Sequence, residues 1–171
     1  MYSWAIPYRN PFALIQKRPD KWQGLVGNVN GKLQFQNDVY GARAGYINLF
    51  NTYINRGLNT PAKIFPVYAP KGHGANDPQK YIFLIEKIVG IKANEPINTM
   101  QKFYDLGRGI TQVERGKVLN AYSLGEGYKL ASQALGPKMK EGILKANGQT
   151  SKALLPVLAT FLGLGFIMNQ K

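Results

Sequence analysis

The spacing of apolar positions changes along the chain, and each change marks an element. The first 23 residues carry no regular spacing and are broken by Pro7, Pro11 and Pro19. Across Gly24–Gln36, "GLVGNVNGKLQFQ", Leu33 and Phe35 alternate with Lys32, Gln34 and Gln36, the two-residue period of a strand with one face covered. Asn30-Gly31 between the two halves tolerates the positive φ angles of a tight turn, so the segment predicts a β-hairpin. It is the only convincing β signal in the chain.

From there the apolar period lengthens to that of a helix. Ala42, Tyr46, Leu49, Phe50, Tyr53 and Ile54 recur at three- and four-residue steps, which predicts a helix from Val39 to about Arg56. Asp38 is its expected N-cap, with a catalytic nucleophile as the alternative role, and Gly57 its stop. Thr60-Pro61 opens a short helix. The loop "APKGHGAN" follows, and Asp77-Pro78 begins a helix with Ile82, Ile85, Ile88 and Val89 on its covered side and Gly90 after it. Asn98 is the expected cap for Thr99 to about Arg115, and a further helix covers Leu119–Ala134 before Gly136-Pro137 breaks it. No internal repeat is present. The pattern predicts an α+β, mainly α fold with one small β-hairpin.

Within Thr99–Arg115, Met100, Phe103, Gly107 and Ile110 share one face, and Glu114 continues it four residues on. A carboxyl group there is partly withdrawn from water, which favours its neutral form. The negative end of the helix dipole acts in the same direction. Both effects suit a general acid that must hold its proton near neutral pH. The competing reading is a solvated helix end on which Glu114 pairs with Arg108, Arg115 or Lys117. Gly107 and Gly109, poor helix formers, point to close packing or a kink beside it.

Composition narrows the chemistry. Lys and Arg number 22 against 9 Asp and Glu, a net charge of +13, which favours anionic partners: nucleic acid, lipid headgroups or an acidic wall polymer. The absence of cysteine removes disulfides, thiol nucleophiles and Cys-ligated zinc. The single histidine, His73, lies in the Gly/Pro-rich loop and reads as a loop residue rather than a ligand or triad member. No metal and no small-molecule cofactor are expected. The opening "MYSWAIPYRNPF" lacks the basic start, apolar run and small-residue site of a signal peptide, so export by that route is not expected.

Beyond Gly136 the composition shifts. A basic segment, "PKMKEGILKANGQTSK", precedes "ALLPVLATFLGLGFIM". Ala153–Met168 carries no charge, and its sixteen residues span roughly 24 Å as a helix, just under the hydrocarbon thickness of a bilayer. The division expected is a catalytic domain over 1–136, a basic linker over 137–152 and a C-terminal apolar transmembrane helix over 153–168. A buried core helix is the alternative for the last. The lysines ahead of the tail place the main domain on the cytoplasmic side.

An ordered set of short motifs joins these elements: "NPFALI" from Asn10, "KWQGLVG" from Lys21, "KLQFQNDVYGARAGYINLFNTY" from Lys32, "GLNTPAKIFPVYAP" from Gly57, "NDPQKYIFLI" from Asn76 and "GITQVERG" from Gly109. Over roughly Asn10–Gly116 the order and spacing resemble a phage-encoded, lysozyme-like family of virion-associated lytic transglycosylases and muramidases. Phe12 and Ala13 stand where that family has Gly-Asn, and Arg115 where it has Asn. The order looks circularly permuted, with the hairpin first and the glutamate last.

The resemblance implies a lysozyme-like helical domain in which Glu114 is the catalytic acid/base. It implies cleavage of the N-acetylmuramic acid to N-acetylglucosamine bond of peptidoglycan. A single-carboxylate route closing an anhydro sugar is preferred to hydrolysis, since Asp38 reads as a cap and Asp105 lies further back on the helix of Glu114. Gln36, Gln34, Asn10, Tyr68 and Tyr81 are the expected substrate contacts, with core packing the alternative for the tyrosines. Trp22 reads as hairpin packing rather than a sugar platform. The implied setting is a virion held to its membrane by the C-terminal helix, with capsid proteins as partners and the host cell membrane as the site during assembly. The rivals are a non-enzymatic virion membrane protein and a basic nucleic-acid-binding virion protein.

Overall fold

The structure, a computed structural model, describes residues 5–16, 22–74 and 76–145. These form a mainly helical assembly with one two-stranded sheet. Strands β1 (Leu25–Val29) and β2 (Lys32–Phe35) pair antiparallel, Val29 opposite Lys32 and Asn28 opposite Leu33. Asn30 and Gly31 take φ of 52° and 84°, as the tight turn requires. Leu33 and Phe35 are buried while Lys32 and Gln34 are half-buried, so the alternation read along β2 is the alternation of its faces. The free edge of β2 is covered by the N-terminal segment: Ile15 bridges to Lys32, the Leu33 amide donates to the Leu14 carbonyl (3.3 Å), and the Gln16 amide donates to that of Gly31 (2.7 Å).

Six helices follow: α1 (Asp38–Thr52), α2 (Pro61–Tyr68), α3 (Pro78–Val89), α4 (Met100–Arg115), α5 (Ala121–Leu135) and α6 (Pro137–Lys145). Two expected caps move by one residue. Asn37, not Asp38, caps α1, its Oδ1 accepting from the Tyr40 amide at 3.1 Å. Thr99, not Asn98, caps α4, accepting from the Lys102 amide at 3.1 Å. In both places two capping residue types are adjacent, and the one whose side chain reaches the third amide wins. α1 also stops earlier than expected, at Thr52. The chain tightens through a 3-10 turn over Ile54–Arg56 and ends in left-handed Gly57.

Small residues let α1 approach its neighbours closely. A side-chain carbon added at Gly45 would stand 2.0 Å from the Phe12 ring, and one at Gly127 of α5 would meet the Ala42 side chain at 2.5 Å. Gly107 of α4 sits likewise over the Tyr46 ring and Gly109 against Ile85, the close packing expected of those glycines. Tyr46 occupies the centre, with Phe12, Phe103 and Tyr128 at 5.2, 5.7 and 5.1 Å between ring centres and its hydroxyl donating to the Tyr104 carbonyl at 2.9 Å.

The basic linker expected from residue 137 is corrected for its first nine residues. These form α6, whose Met139 and Ile143 are buried in the same core while Lys138, Lys140 and Lys145 stay exposed. The lysines concealed an apolar pair four residues apart, one face of a helix. Among the described residues no helix is long and apolar enough to cross a membrane. The apolar segment 153–168 lies outside the described residues.

Candidate active site

Glu114 stands in the last turn of α4, whose buried face runs Phe103, Leu106, Gly107, Ile110, Thr111, Glu114. The three-and-four spacing that carries the apolar residues inward carries the carboxyl with them, and Glu114 is only 2 % exposed. None of the cations read as alternative partners takes it up. Arg108 pairs with Asp105 at 3.2 Å, Arg115 with Asp38 at 3.4 Å, and Lys117 is exposed past the helix end. Among the described residues no lysine or arginine forms an ion pair with Glu114.

Its partners are phenols. Tyr81, in the first turn of α3, donates its hydroxyl to Glu114 Oε1, and the Tyr68 hydroxyl at the end of α2 also meets the carboxyl. The Tyr68 oxygen lies 2.6 Å from the Phe12 carbonyl. A carbonyl only accepts, so the one phenolic hydrogen of Tyr68 goes to Phe12. Burial pushes the Glu114 pKa up from 4.5 to about 7, with the tyrosine hydrogen bonds acting the other way. Desolvation wins because the neutral phenols replace only part of what water gives a carboxylate. Tyr68 itself is pushed well above its ordinary value, by burial first and by the nearby Glu114 charge second, so it stays a neutral phenol.

The carboxyl opens on a cleft of about 250 Å3. One wall is Phe12–Gln16, the segment lying along β2. The rest of the lining comes from Asn48 and Tyr53 of the α1 end, Tyr68–Pro70, and the loop residues His73 and Asn76. Glu114 is the only acidic side chain among the described residues lining it. Asp38, considered as a nucleophile, turns instead to Arg115, and Asp105 to Arg108 and Gln101 (2.8 Å). Among the described residues no group of acidic or histidine side chains is arranged to hold a metal ion.

The expected substrate contacts divide. Tyr68 lines the cleft; Tyr81 supports Glu114 from behind, 8 % exposed and stacked on Phe65 at 4.9 Å. Asn10 is corrected to a framework residue. It is fully buried, its Nδ2 donating to the Leu14 and Leu33 carbonyls (2.9 and 3.0 Å) and its Oδ1 accepting from the Leu14 amide (2.9 Å). Its amide thus ties the cleft wall to the hairpin and has no donor left for a ligand. Gln34 and Gln36 are also corrected: neither lines the cleft. Gln34 lies across the hairpin over Gly27, and Gln36 is exposed beyond the end of β2. The glutamine that does line it is Gln16, whose Oε1 accepts from Trp22 Nε1 at 2.8 Å. Trp22 packs half-buried against the core, as a hairpin tryptophan should. Gln16, Asn48 and Tyr53 were not legible as site residues. Gln16 precedes a charged, unpatterned stretch, and Asn48 and Tyr53 belong to an ordinary amphipathic helix.

Compared with protein-family models and with curated proteins, the chain matches none.

Proposed function

We propose that the protein is a peptidoglycan-cleaving enzyme, a lytic transglycosylase of a phage virion, with Glu114 as its single general acid and base. The observation that carries this reading is a buried carboxyl, held by two tyrosines with its pKa near 7, facing a cleft that contains no second carboxylate among its described lining. The lysozyme-like order of motifs over Asn10–Gly116 and the helical fold with one hairpin agree with it. The +13 charge suits an anionic wall polymer.

In this reading Glu114 transfers its proton to the glycosidic oxygen as the bond from C1 of N-acetylmuramic acid breaks. The acetamido oxygen of the same sugar attacks C1 and takes the place of the protein carboxylate that most glycosidases provide. Glu114, now a carboxylate accepting from Tyr81, removes the proton of the C6 hydroxyl. The C6 oxygen closes on C1, displaces the acetamido oxygen and leaves a 1,6-anhydro sugar. The carboxyl is again protonated, and no water has been consumed.

Wall digests analysed by mass spectrometry test the proposal, with wild type set against Glu114→Gln. Anhydro-ended muropeptides produced by the wild type and lost in the variant are expected. Hydrated reducing ends would make the protein a hydrolytic muramidase, and no release at all would overturn the enzymatic reading. Of the aromatics interleaved with basic residues in "YINLFNTYINR" and "KFYDLGR", the features behind the nucleic-acid rival, Tyr46, Phe50, Tyr53 and Phe103 are buried and Tyr104 is half-buried, which weighs against that reading.

A further inference from the structure

Tyr53 ends α1, and its backbone is held on both sides. Its amide donates to the Leu49 carbonyl, and its own carbonyl accepts from the Arg56 and Leu58 amides at 3.0 and 3.1 Å. The ring is fixed as well, 5.9 Å from that of Tyr68 and 93 % buried by its neighbours. The hydroxyl is different. No described residue hydrogen-bonds it, yet it is not among the sealed polar atoms of the interior, and Tyr53 lines the cleft that Glu114 faces. The other described tyrosines packed around the carboxyl have their hydroxyls engaged: Tyr68 with Phe12 and Tyr81 with Glu114.

The ring is buried while its polar tip reaches the cleft, so the hydroxyl is placed where a ligand can meet it. Phenylalanine would fill the same volume, and no described residue uses the oxygen. On the reading of the cleft as a glycan site, we propose that Tyr53 is a substrate-binding residue whose hydroxyl hydrogen-bonds an acetamido group of the bound N-acetylated sugar. An amide on the ligand presents both a donor and an acceptor to a group that is also both. Burial pushes the Tyr53 pKa up to about 12, with nearby Arg56 opposing it, so the phenol keeps its hydrogen at any working pH. Asn48, one turn earlier on α1 and also lining the cleft, presents a carboxamide beside it; its Oδ1 is taken by the Thr52 hydroxyl at 2.9 Å. Together the two give the cleft lining a carboxamide and a phenol held on one helix end.

The test uses the full chain carrying Glu114→Gln, which binds without turnover, with and without Tyr53→Phe. The probe is a tetramer of N-acetylglucosamine followed by calorimetry, and clearing of purified peptidoglycan by the protein with Glu114 intact runs alongside. The expected result is affinity weakened about tenfold by Tyr53→Phe, the loss of one hydrogen bond, with an equal or higher Tm. In the clearing assay KM should rise more than kcat falls. Affinity within twofold of the parent overturns the inference while leaving the functional reading in place. A Tm lowered by several degrees also overturns it, since the hydroxyl would then serve the fold. Failure of the parent both to bind the tetramer and to clear peptidoglycan overturns the functional reading itself, and this inference with it.

Discussion

The hydroxyl of Tyr81 donates to the carboxyl of Glu114, joining the first turn of α3 to the last turn of α4. This contact lowers the carboxyl's pKa while burial raises it. Tyr81→Phe should therefore move the basic limb of the pH–rate profile upward, since the charged form loses a donor. Stability should fall by about 1–2 kcal/mol. A carboxyl titration followed by NMR, together with the profile of wall clearing, checks the direction. A limb that moves down or stays put would contradict the assignment.

Glu114→Gln should reduce clearing by about 10²–10⁴-fold, the usual contribution of a positioned general acid. The same substitution should flatten the dependence of stability on pH. The folded carboxyl titrates at about 7 and the ordinary one at 4.5. The stability associated with its neutral form is fully present below 4.5 and is lost as pH rises through 7. The difference is on the order of 3 kcal/mol. Urea unfolding at pH 4.5 and pH 8 should show a fall for the wild type that exceeds the variant's by about that amount. At pH 8 the inactive variant should be the more stable of the two.

Phe12 and Gly45 are fitted to each other. A methyl at residue 45 would lie 2.0 Å from the ring, so Gly45→Ala should destabilise by about 1–3 kcal/mol through overpacking, although alanine favours the helix. Phe12→Ala alone should cost about 3–5 kcal/mol from the cavity it leaves. The double variant should be less destabilised than the sum of the two, a coupling that a double-mutant cycle in urea measures. Strict additivity would contradict the contact.

Ala13, in the cleft wall, holds a φ of 48°, a left-handed conformation that costs a residue with a Cβ about 1–2 kcal/mol. Ala13→Gly should recover part of this, by about 0.5–1 kcal/mol after the added freedom of the unfolded chain is counted. Asparagine, which tolerates the same region, should behave likewise. Shifts in the urea midpoint decide it, and a loss of stability in both variants would contradict the strain argument.

Asp38 and Arg115 form a largely buried pair, their side chains 19 % and 7 % exposed. The contact is a single one, and Asp38 Oδ1 and Arg115 Nε have no hydrogen-bond partner among the described residues. Asp38→Ala leaves the guanidinium buried without its carboxylate and should cost about 3–5 kcal/mol. Replacing both residues with apolar ones of similar volume should cost much less. Thermal unfolding of the single and double variants distinguishes these outcomes.

Much of this protein is written locally. Asn30-Gly31 settles the hairpin because its two residues alone accept the turn's φ angles. Glu114 lies inside because four residues after Ile110 is the same side of any α-helix. The helices themselves follow from caps and spacing, with errors of a residue where Asn37 and Asp38, or Asn98 and Thr99, compete for one cap. Periodicity states that a face is covered and is silent on what covers it. The tertiary structure therefore decided that Tyr81, 33 residues before Glu114, would hold the carboxyl, and that Asp38, 77 residues before Arg115, would leave the cleft to pair with it. It also decided that the cleft's glutamine is Gln16 rather than Gln34 or Gln36, because the segment running along β2, not the hairpin face, turns toward the acid. Each of these rests on which distant surfaces meet when the whole core closes, and a pattern read along one strand or helix contains no information about that.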